Sequence, residues 1–247
     1  MANYAMAIDL DRCVGCGACV MACKAEWGVA DKHRRDWVIP IQPEGEFPDA
    51  IESTFYVGLC NHCDEPSCVS ACPTGATYKD IDGRVLVESD LCIGCGYCVT
   101  ACPYGARYLN PETQKVDKCD FCKTRMDAGA KEPACVEVCI SDARIFGDLE
   151  DRNSELWQNL VHHDTRRIAT EEVDLKPNVY YLGDEHHVRQ ILAHFPLKKE
   201  LTEPPQPAQV WTRWILPLTA AAIGLSFSGQ ALAFFYQLYK GEPPTEE

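Results

Sequence analysis

Residues 92–103 read CIGCGYCVTACP, a run with three cysteines in seven residues and a fourth cysteine after three more. A tight loop of this kind can supply three thiolates to one metal centre, while the helix that follows carries the fourth toward a neighbouring centre. Gly94 and Gly96 allow the backbone to wrap closely around such a centre. The C-x2-C-x2-C-x3-C-P spacing therefore predicts an iron–sulfur site, and predicts that such sites come in pairs.

The pattern recurs along the chain, because its sixteen cysteines fall into four groups of four. Three groups approximate the spacing above, so the sequence predicts four [4Fe-4S] clusters. Cys72 and Cys102 are followed by proline, whereas Cys23 and Cys139 are not, so those two turns should end differently. The groups are Cys13, Cys16, Cys19 and Cys23; Cys60, Cys63, Cys68 and Cys72; Cys92, Cys95, Cys98 and Cys102; and Cys119, Cys122, Cys135 and Cys139.

Two other uses of clustered cysteines fit the spacing less well. Zinc modules also use C-x2-C pairs, but three cysteines in seven residues crowd a single tetrahedral ion. A disulfide framework is disfavoured because residues 1–9 show no secretory signal, and thiols made in the cytosol are normally kept reduced. Because the thiols suffice as ligands, we expect His62, between Cys60 and Cys63, to support a site or lie at the surface.

Short strands are expected between the cysteine groups. Residues 76–79 and 84–87 read as two strands joined through Asp82-Gly83, which is a strong hairpin signal. Residues 106–109 read as a returning strand. Such units are small and poor in core residues, so bound clusters should supply much of the folding energy and the apoprotein should be largely unfolded.

The predicted fold class is α+β, and the predicted organisation has four parts. Residues 1–150 form two tandem ferredoxin-like double-cluster modules. Residues 151–208 form a C-terminal extension with a proline-rich linker, residues 209–240 a transmembrane helix, and residues 241–247 a short tail.

The transmembrane prediction rests on residues 214–239, which contain no Asp, Glu, Lys or Arg. At about 1.5 Å per residue this run more than spans a hydrocarbon layer of about 30 Å. Tryptophans at one end and tyrosines at the other are typical of an aromatic belt. A buried helix that docks on another subunit is the alternative interpretation. The first interpretation predicts contact with membrane lipid through this helix.

Charge excludes one class of partner. The chain has 23 basic and 37 acidic side chains, a formal net charge of −14, which repels phosphate backbones. Nucleic acid is therefore not an expected partner.

Several separated segments resemble a known family, the four-cluster iron–sulfur subunits of molybdenum or tungsten oxidoreductases of the dimethyl sulfoxide reductase superfamily. The polysulfide reductase complexes are included in this group. The likeness covers about residues 5–182. Its marks are Ile8-Asp9-Leu10-Asp11-Arg12-Cys13-Val14-Gly15-Cys16, Cys60-Asn61-His62-Cys63 with Pro66 and Cys68, Cys119-Asp120-Phe121-Cys122, Ala143-Arg144-Ile145-Phe146-Gly147-Asp148-Leu149 and Pro177-Asn178-Val179-Tyr180-Tyr181-Leu182.

The resemblance implies how the cysteines are shared among the clusters. Some relatives hold a three-iron cluster where a tryptophan replaces a third-group cysteine, but Cys95 occupies that position here, so four cubanes are expected. The implied ligand sets are Cys13, Cys16, Cys19 and Cys139 for cluster 1; Cys23, Cys119, Cys122 and Cys135 for cluster 2; Cys60, Cys63, Cys68 and Cys102 for cluster 3; and Cys72, Cys92, Cys95 and Cys98 for cluster 4.

The resemblance also implies the function. The chain would be a non-catalytic electron-transfer subunit that links a molybdenum- or tungsten-pterin catalytic subunit, at the cluster 1 end, to a quinone-reactive membrane subunit at the cluster 4 end. The equivalent subunit of a membrane hydrogenase or formate dehydrogenase is an alternative, and a zinc-binding scaffold or redox sensor is a remote one. No catalytic residues are expected, because no nucleophile–base pair or open metal position stands out.

The implied localisation is a membrane-anchored protein. The absence of a visible signal favours a cytoplasmic cluster domain, while export of the folded chain with a partner to the periplasm stays open.

Overall fold

The computed structural model describes residues 2–43 and 54–197, together with the helical residues 229, 230, 232, 234–236 and 239. It divides into two compact units, Met1–Pro204 and Pro205–Glu247. All the cysteines lie in the first unit.

The secondary structure of the first unit consists of short elements. Within the described residues the strands are β1 (Tyr4–Asp9), β2 (Asp36–Pro40), β3 (Phe55–Leu59), β4 (Thr77–Lys79), β5 (Val85–Val87), β6 (Tyr108–Leu109), β7 (Val116–Asp117), β8 (Arg144–Asp148), β9 (Thr165–Arg166) and β10 (Val179–Leu182). The helices are α1 (Ala18–Trp27), α2 (Ser67–Ser70), α3 (Tyr97–Thr100), α4 (Lys123–Asp127), α5 (Ala134–Glu137), α6 (Glu155–His162) and α7 (Glu185–His194). This mixture confirms the predicted α+β class.

A four-stranded sheet joins the two ends of this unit. Its strand order is β8-β1-β10-β9. Met6 pairs with Phe146 in the antiparallel neighbour and with Val179 in the parallel one. Residues on both sides of the predicted boundary at residue 150 therefore share one sheet. That boundary stays a prediction.

The other six strands form three two-stranded antiparallel sheets, β2-β3, β4-β5 and β6-β7. The predicted hairpin around Asp82-Gly83 is confirmed, because β4 and β5 pair antiparallel and Gly83 adopts a left-handed φ of 83°. The strand expected at 106–109 is shorter than predicted: β6 contains only Tyr108 and Leu109, which pair with β7.

The buried core is continuous with the cysteine sites. Met6, Ile8, Val57 and Tyr181 are fully buried in the largest cluster of apolar side chains, which also includes Cys19, Cys60, Cys63, Cys119 and Cys135. These cysteines are thus part of the buried core. This arrangement agrees with the expectation that bound clusters contribute to folding.

The predicted membrane segment, residues 209–240, lies mostly outside the described residues. The few that are described there are helical and exposed. Among the described residues no helix is both long and apolar enough to cross a membrane. The transmembrane helix stays a prediction.

Candidate metal centres

Glycines with a left-handed backbone conformation lie in the loops of the first and third cysteine groups. Gly15 and Gly17 have φ values of 68° and 74°, and Gly94 and Gly96 have values of 69° and 76°. Gly94 also has no room for a side chain, because a Cβ there would lie 2.2 Å from the carbonyl oxygen of Gln114. The sequence therefore folds locally into loops that only glycine adopts without strain.

A first cavity is lined by Cys13, Cys16, Cys19 and Cys139. The first three cysteines come from the loop before α1 and from its first turn, and Cys139 comes from the turn after α5. Apolar side chains and Arg144 line the rest of this cavity. The structure thus brings the first-group loop together with the last cysteine of the fourth group.

A second cavity is lined by Cys23, Cys119, Cys122 and Cys135. The indole N–H of Trp27 donates a hydrogen bond of 3.4 Å to Sγ of Cys122. Cys23 lies further along α1 than Cys19, so this helix delivers cysteines to two neighbouring cavities.

A third cavity is lined by Cys60, Cys63, Cys68 and Cys102. As in the first cavity, three cysteines come from one sequence group and the fourth comes from another. Cys60, Cys63 and Cys68 belong to the second group, and Cys102 is the last cysteine of the third. His62 and Arg107 also line this cavity.

Three of the remaining four cysteines lie at a second, smaller apolar core. Cys92 and Cys98 are buried there with Cys68, Ala76 and Val85, and Cys72 packs against this core. Cys95 is exposed. The backbone N–H of Thr77 donates to Sγ of Cys72 at 3.4 Å.

The donor chemistry of these sets fits a [4Fe-4S] cluster. Each of the three cavities is lined by four cysteine thiols, the ligand set that such a cluster takes, and their other walls are largely apolar. Within the described residues no three His, Cys, Asp or Glu side chains are grouped as ligands of a single metal ion.

Burial raises the pKa of several of these thiols. It raises the pKa of Cys68 and of Cys135 to about 12, and raises that of Cys63 well above the ordinary thiol value. Cys72 differs: burial acts in the same direction, but hydrogen bonds from Thr77 and Thr74 outweigh it and lower its pKa to about 7. Because thiolate is the ligand, loading these sites must release protons.

His62 is fully buried, so the alternative of a surface position was wrong and the supporting position is the one observed. Its Nδ1 accepts a 2.9 Å hydrogen bond from the backbone N–H of Val85, and its ring stacks on Phe121 at 3.8 Å. Phe121 lines the second cavity and His62 the third, so the stacked rings separate two cavities.

Sequence reasoning missed three buried cations beside the thiols: Arg107, Lys118 and Arg144. Lys118 donates to the carbonyl oxygens of Val85 and Cys119. The two arginines could have been found, because each follows the last cysteine of a group by five residues, in Cys102–Arg107 and in Cys139–Arg144.

Two cysteines are exposed, Cys16 and Cys95, and all the others are buried or half-buried. Apolar side chains are exposed near both. Val14, Met21 and Ile140 lie close in sequence to the cysteines of the first cavity, and Leu91, Ile93 and Tyr97 flank Cys92 and Cys95.

Comparison with known proteins identifies two 4Fe-4S dicluster domains, over residues 12–77 and 51–149. The chain is similar to a tetrathionate reductase subunit of Salmonella typhimurium, with 44% identity over 182 residues that cover 73% of this chain and 72% of the relative. Protein NrfC of Escherichia coli is 45% identical over 180 residues (72% and 79%). A polysulfide reductase chain of Wolinella succinogenes is 42% identical over 184 residues (74% and 95%).

Two matched dicluster domains and sixteen cysteines account for four [4Fe-4S] clusters. The predicted cofactors are thereby confirmed.

Proposed function

Because this chain belongs to the four-cluster iron–sulfur subunits of molybdopterin oxidoreductases, we propose that it carries electrons between a molybdopterin catalytic subunit and a quinone-reactive membrane subunit. Like its relatives, it is an electron-transfer subunit and not the catalytic one. The observation that carries the proposal is the set of three cavities, each lined by four thiols, of which the first two share the cysteines of α1.

The proposed ligands are the four sets implied by the resemblance. Support for three of them comes from the cavities, since each is lined by the four cysteines of one set. Support for the fourth is that Cys72, Cys92 and Cys98 pack at one small core, with Cys95 on the loop between Cys92 and Cys98.

The protein around the cavities holds and shields the clusters. Clusters of this type accept and donate single electrons when bound. The apolar walls exclude water from the cavities, and N–H groups such as those of Trp27 and Thr77 donate to cysteine sulfur. Such hydrogen bonds, together with burial, set the reduction potential of each site.

Electrons would enter and leave at the two exposed cysteines. Cys16 lines the first cavity and Cys95 belongs to the fourth set, so the exposed thiols stand at opposite ends of the proposed order of sites. Exposed apolar side chains around each thiol suit contact with another protein subunit. The catalytic subunit is proposed at the Cys16 end and the membrane subunit at the Cys95 end, as in the resemblance.

The C-terminal segment is proposed to anchor the chain. The uncharged run at residues 214–239 has the length and composition of a membrane-spanning helix. Its insertion would bring the cluster-binding unit to the membrane, where the quinone-reactive partner resides.

Co-purification tests this function. A tagged full-length chain, isolated anaerobically from detergent-solubilised membranes, is expected to bring with it a protein that contains molybdenum or tungsten and pterin, and a polytopic membrane protein. Added quinol should reduce, or quinone oxidise, its clusters within this complex. Isolation of the chain with all its iron but with neither partner would contradict the proposal.

Two substitutions locate the contacts. Ile140→Lys is expected to release the pterin protein and Ile93→Lys the membrane protein, because each places a charge in an exposed apolar surface. Ile81→Lys is the matched control, since Ile81 is 72% exposed and Ile140 is 75% exposed. Equal retention of both partners by all three variants would argue against these surfaces.

A further inference from the structure

Two arginines occupy equivalent positions relative to the cysteine groups. Arg107 follows Cys102 by five residues and Arg144 follows Cys139 by five residues, and an alanine precedes both arginines. Both are almost completely buried. Because a buried guanidinium is costly unless it has a counter-charge, each position calls for a negative partner.

Arg144 has a carboxylate partner. Its Nη2 lies 3.1 Å from Oδ2 of Asp36, and both side chains are buried. Arg144 lines the first cavity and Asp36 lines the second, so the ion pair lies between two neighbouring sites. The pair as a whole adds no net charge there.

Arg107 is placed in the same way but is not compensated. It lines the third cavity, and its Nη1 donates a 3.1 Å hydrogen bond to the hydroxyl of Thr77. The difference from Arg144 is that no carboxylate of the described residues lies within ion-pair distance of Arg107.

The charge of Arg107 reaches cysteines of two different sets. Arg107 lines the third cavity together with Cys60 and Cys68. Its hydrogen-bond acceptor Thr77 donates its backbone N–H to Sγ of Cys72, which belongs to the fourth set. Arg107 therefore stands between the third and fourth sites, as Arg144 stands between the first and second.

We propose that these two arginines set the reduction potentials of the two pairs of sites, and that Arg107 raises them more than Arg144 does because Asp36 compensates only Arg144. This proposal rests on the proposed function, since it requires clusters at the four sets. It assigns control of the reduction potentials to two residues that do not themselves bind a cluster.

The physical basis is the change of charge on reduction. One electron enters a site from its neighbour, no bond forms or breaks, and the arginine stays protonated throughout because a guanidinium does not lose its proton at physiological pH. A fixed positive charge stabilises the more negative, reduced state. Little solvent or salt screens the interaction at a buried position, so a single charge has a large effect there.

The test is a redox titration of full-length, anaerobically purified chain, followed by electron paramagnetic resonance. In Arg107→Met the third and fourth sites should become harder to reduce by about tenfold or more in the equilibrium constant, which is about 59 mV for one electron. Arg107→Lys, which keeps the charge, should restore most of the shift. Arg189→Met removes an exposed arginine and should change nothing.

Asp36→Asn provides the opposite test in the other half of the protein. It leaves Arg144 uncompensated, so the first and second sites should become easier to reduce. If Arg107→Met does not assemble with its clusters, the midpoint potentials of Asp36→Asn test the proposal. Unchanged midpoint potentials in assembled Arg107→Met, or in Asp36→Asn, would overturn the inference. A wild-type chain without clusters would instead refute the proposed function, so the two failures are distinguishable by iron content.

Discussion

The side-chain amide of Asn178 donates a hydrogen bond of 3.0 Å to the backbone carbonyl of His62. The same amide donates to Oδ1 of Asp64 at 2.8 Å, and the backbone N–H of Asn178 donates to the carbonyl of Asn61. A residue next to β10 thus holds the loop that carries Cys60 and Cys63. The C-terminal part of this unit therefore braces a metal site far from it in sequence.

Removing this brace should loosen the third site. Asn178→Ala leaves the buried carbonyl of His62 without its side-chain donor, a loss of about 1–3 kcal/mol. We expect faster loss of the cluster absorbance when the variant is warmed with an iron chelator. Asn159→Ala, which removes an exposed amide on α6, is the control and should behave like wild type. Equal loss rates for the two variants would show that Asn178 does not brace the site.

The third cysteine group contains a matched pair of glycines. Gly94→Ala must accept both a left-handed backbone and a Cβ at 2.2 Å from the carbonyl oxygen of Gln114. Gly96→Ala has the same backbone strain, of about 1 kcal/mol, but open space around the Cβ. We predict that Gly94→Ala loses the cluster of the fourth set and that Gly96→Ala keeps it, as measured by iron content and paramagnetic resonance. Retention of all four clusters in Gly94→Ala would contradict the role given to this close contact.

The Trp27 indole should raise the potential of the second site. Its hydrogen bond to Sγ of Cys122 withdraws negative charge from a ligand, which favours reduction. Trp27→Phe is expected to lower one of the four midpoint potentials and to leave the others in place. Trp157→Phe, at a residue that lines none of the three cavities, should alter none. A potential that is unmoved in Trp27→Phe would mean that this hydrogen bond does not tune the site.

Because cysteines of different sequence groups line the same cavity, the structure predicts which substitutions remove the same cluster. Cys139→Ala and Cys13→Ala should remove the same paramagnetic signal, because both residues line the first cavity. Cys119→Ala should remove a different signal, although Cys119 and Cys139 belong to one sequence group. If Cys139→Ala and Cys119→Ala instead removed the same signal, each group would bind its own cluster and the proposed sharing would be wrong.

Local patterns in the sequence were sufficient to predict the cysteine groups and the β4–β5 hairpin. Both depend on residues close together in the chain: the C-x2-C spacing in one case and Asp82-Gly83 in the other. The pairing of β1 with β10 was not predicted, because Met6 and Val179 are far apart and neither strand specifies its partner.

The buried charges were harder to predict than the thiols. Arginine is normally a surface residue, so Arg107 was interpreted only as a member of a short strand and Arg144 only as part of a family motif. Only their equal distance from Cys102 and Cys139 marks them, and that regularity gains meaning when the cavities are seen. His62 is a similar case, because its neighbours in sequence do not reveal that Phe121 covers its ring.

The most direct test of the central claim is a metal and acid-labile sulfide analysis of the anaerobically purified full-length chain. Four [4Fe-4S] clusters require about sixteen iron atoms and about sixteen sulfides per chain. We predict these values, with no stoichiometric zinc. About one zinc ion for each set of four cysteines, with little iron or sulfide, would contradict the account.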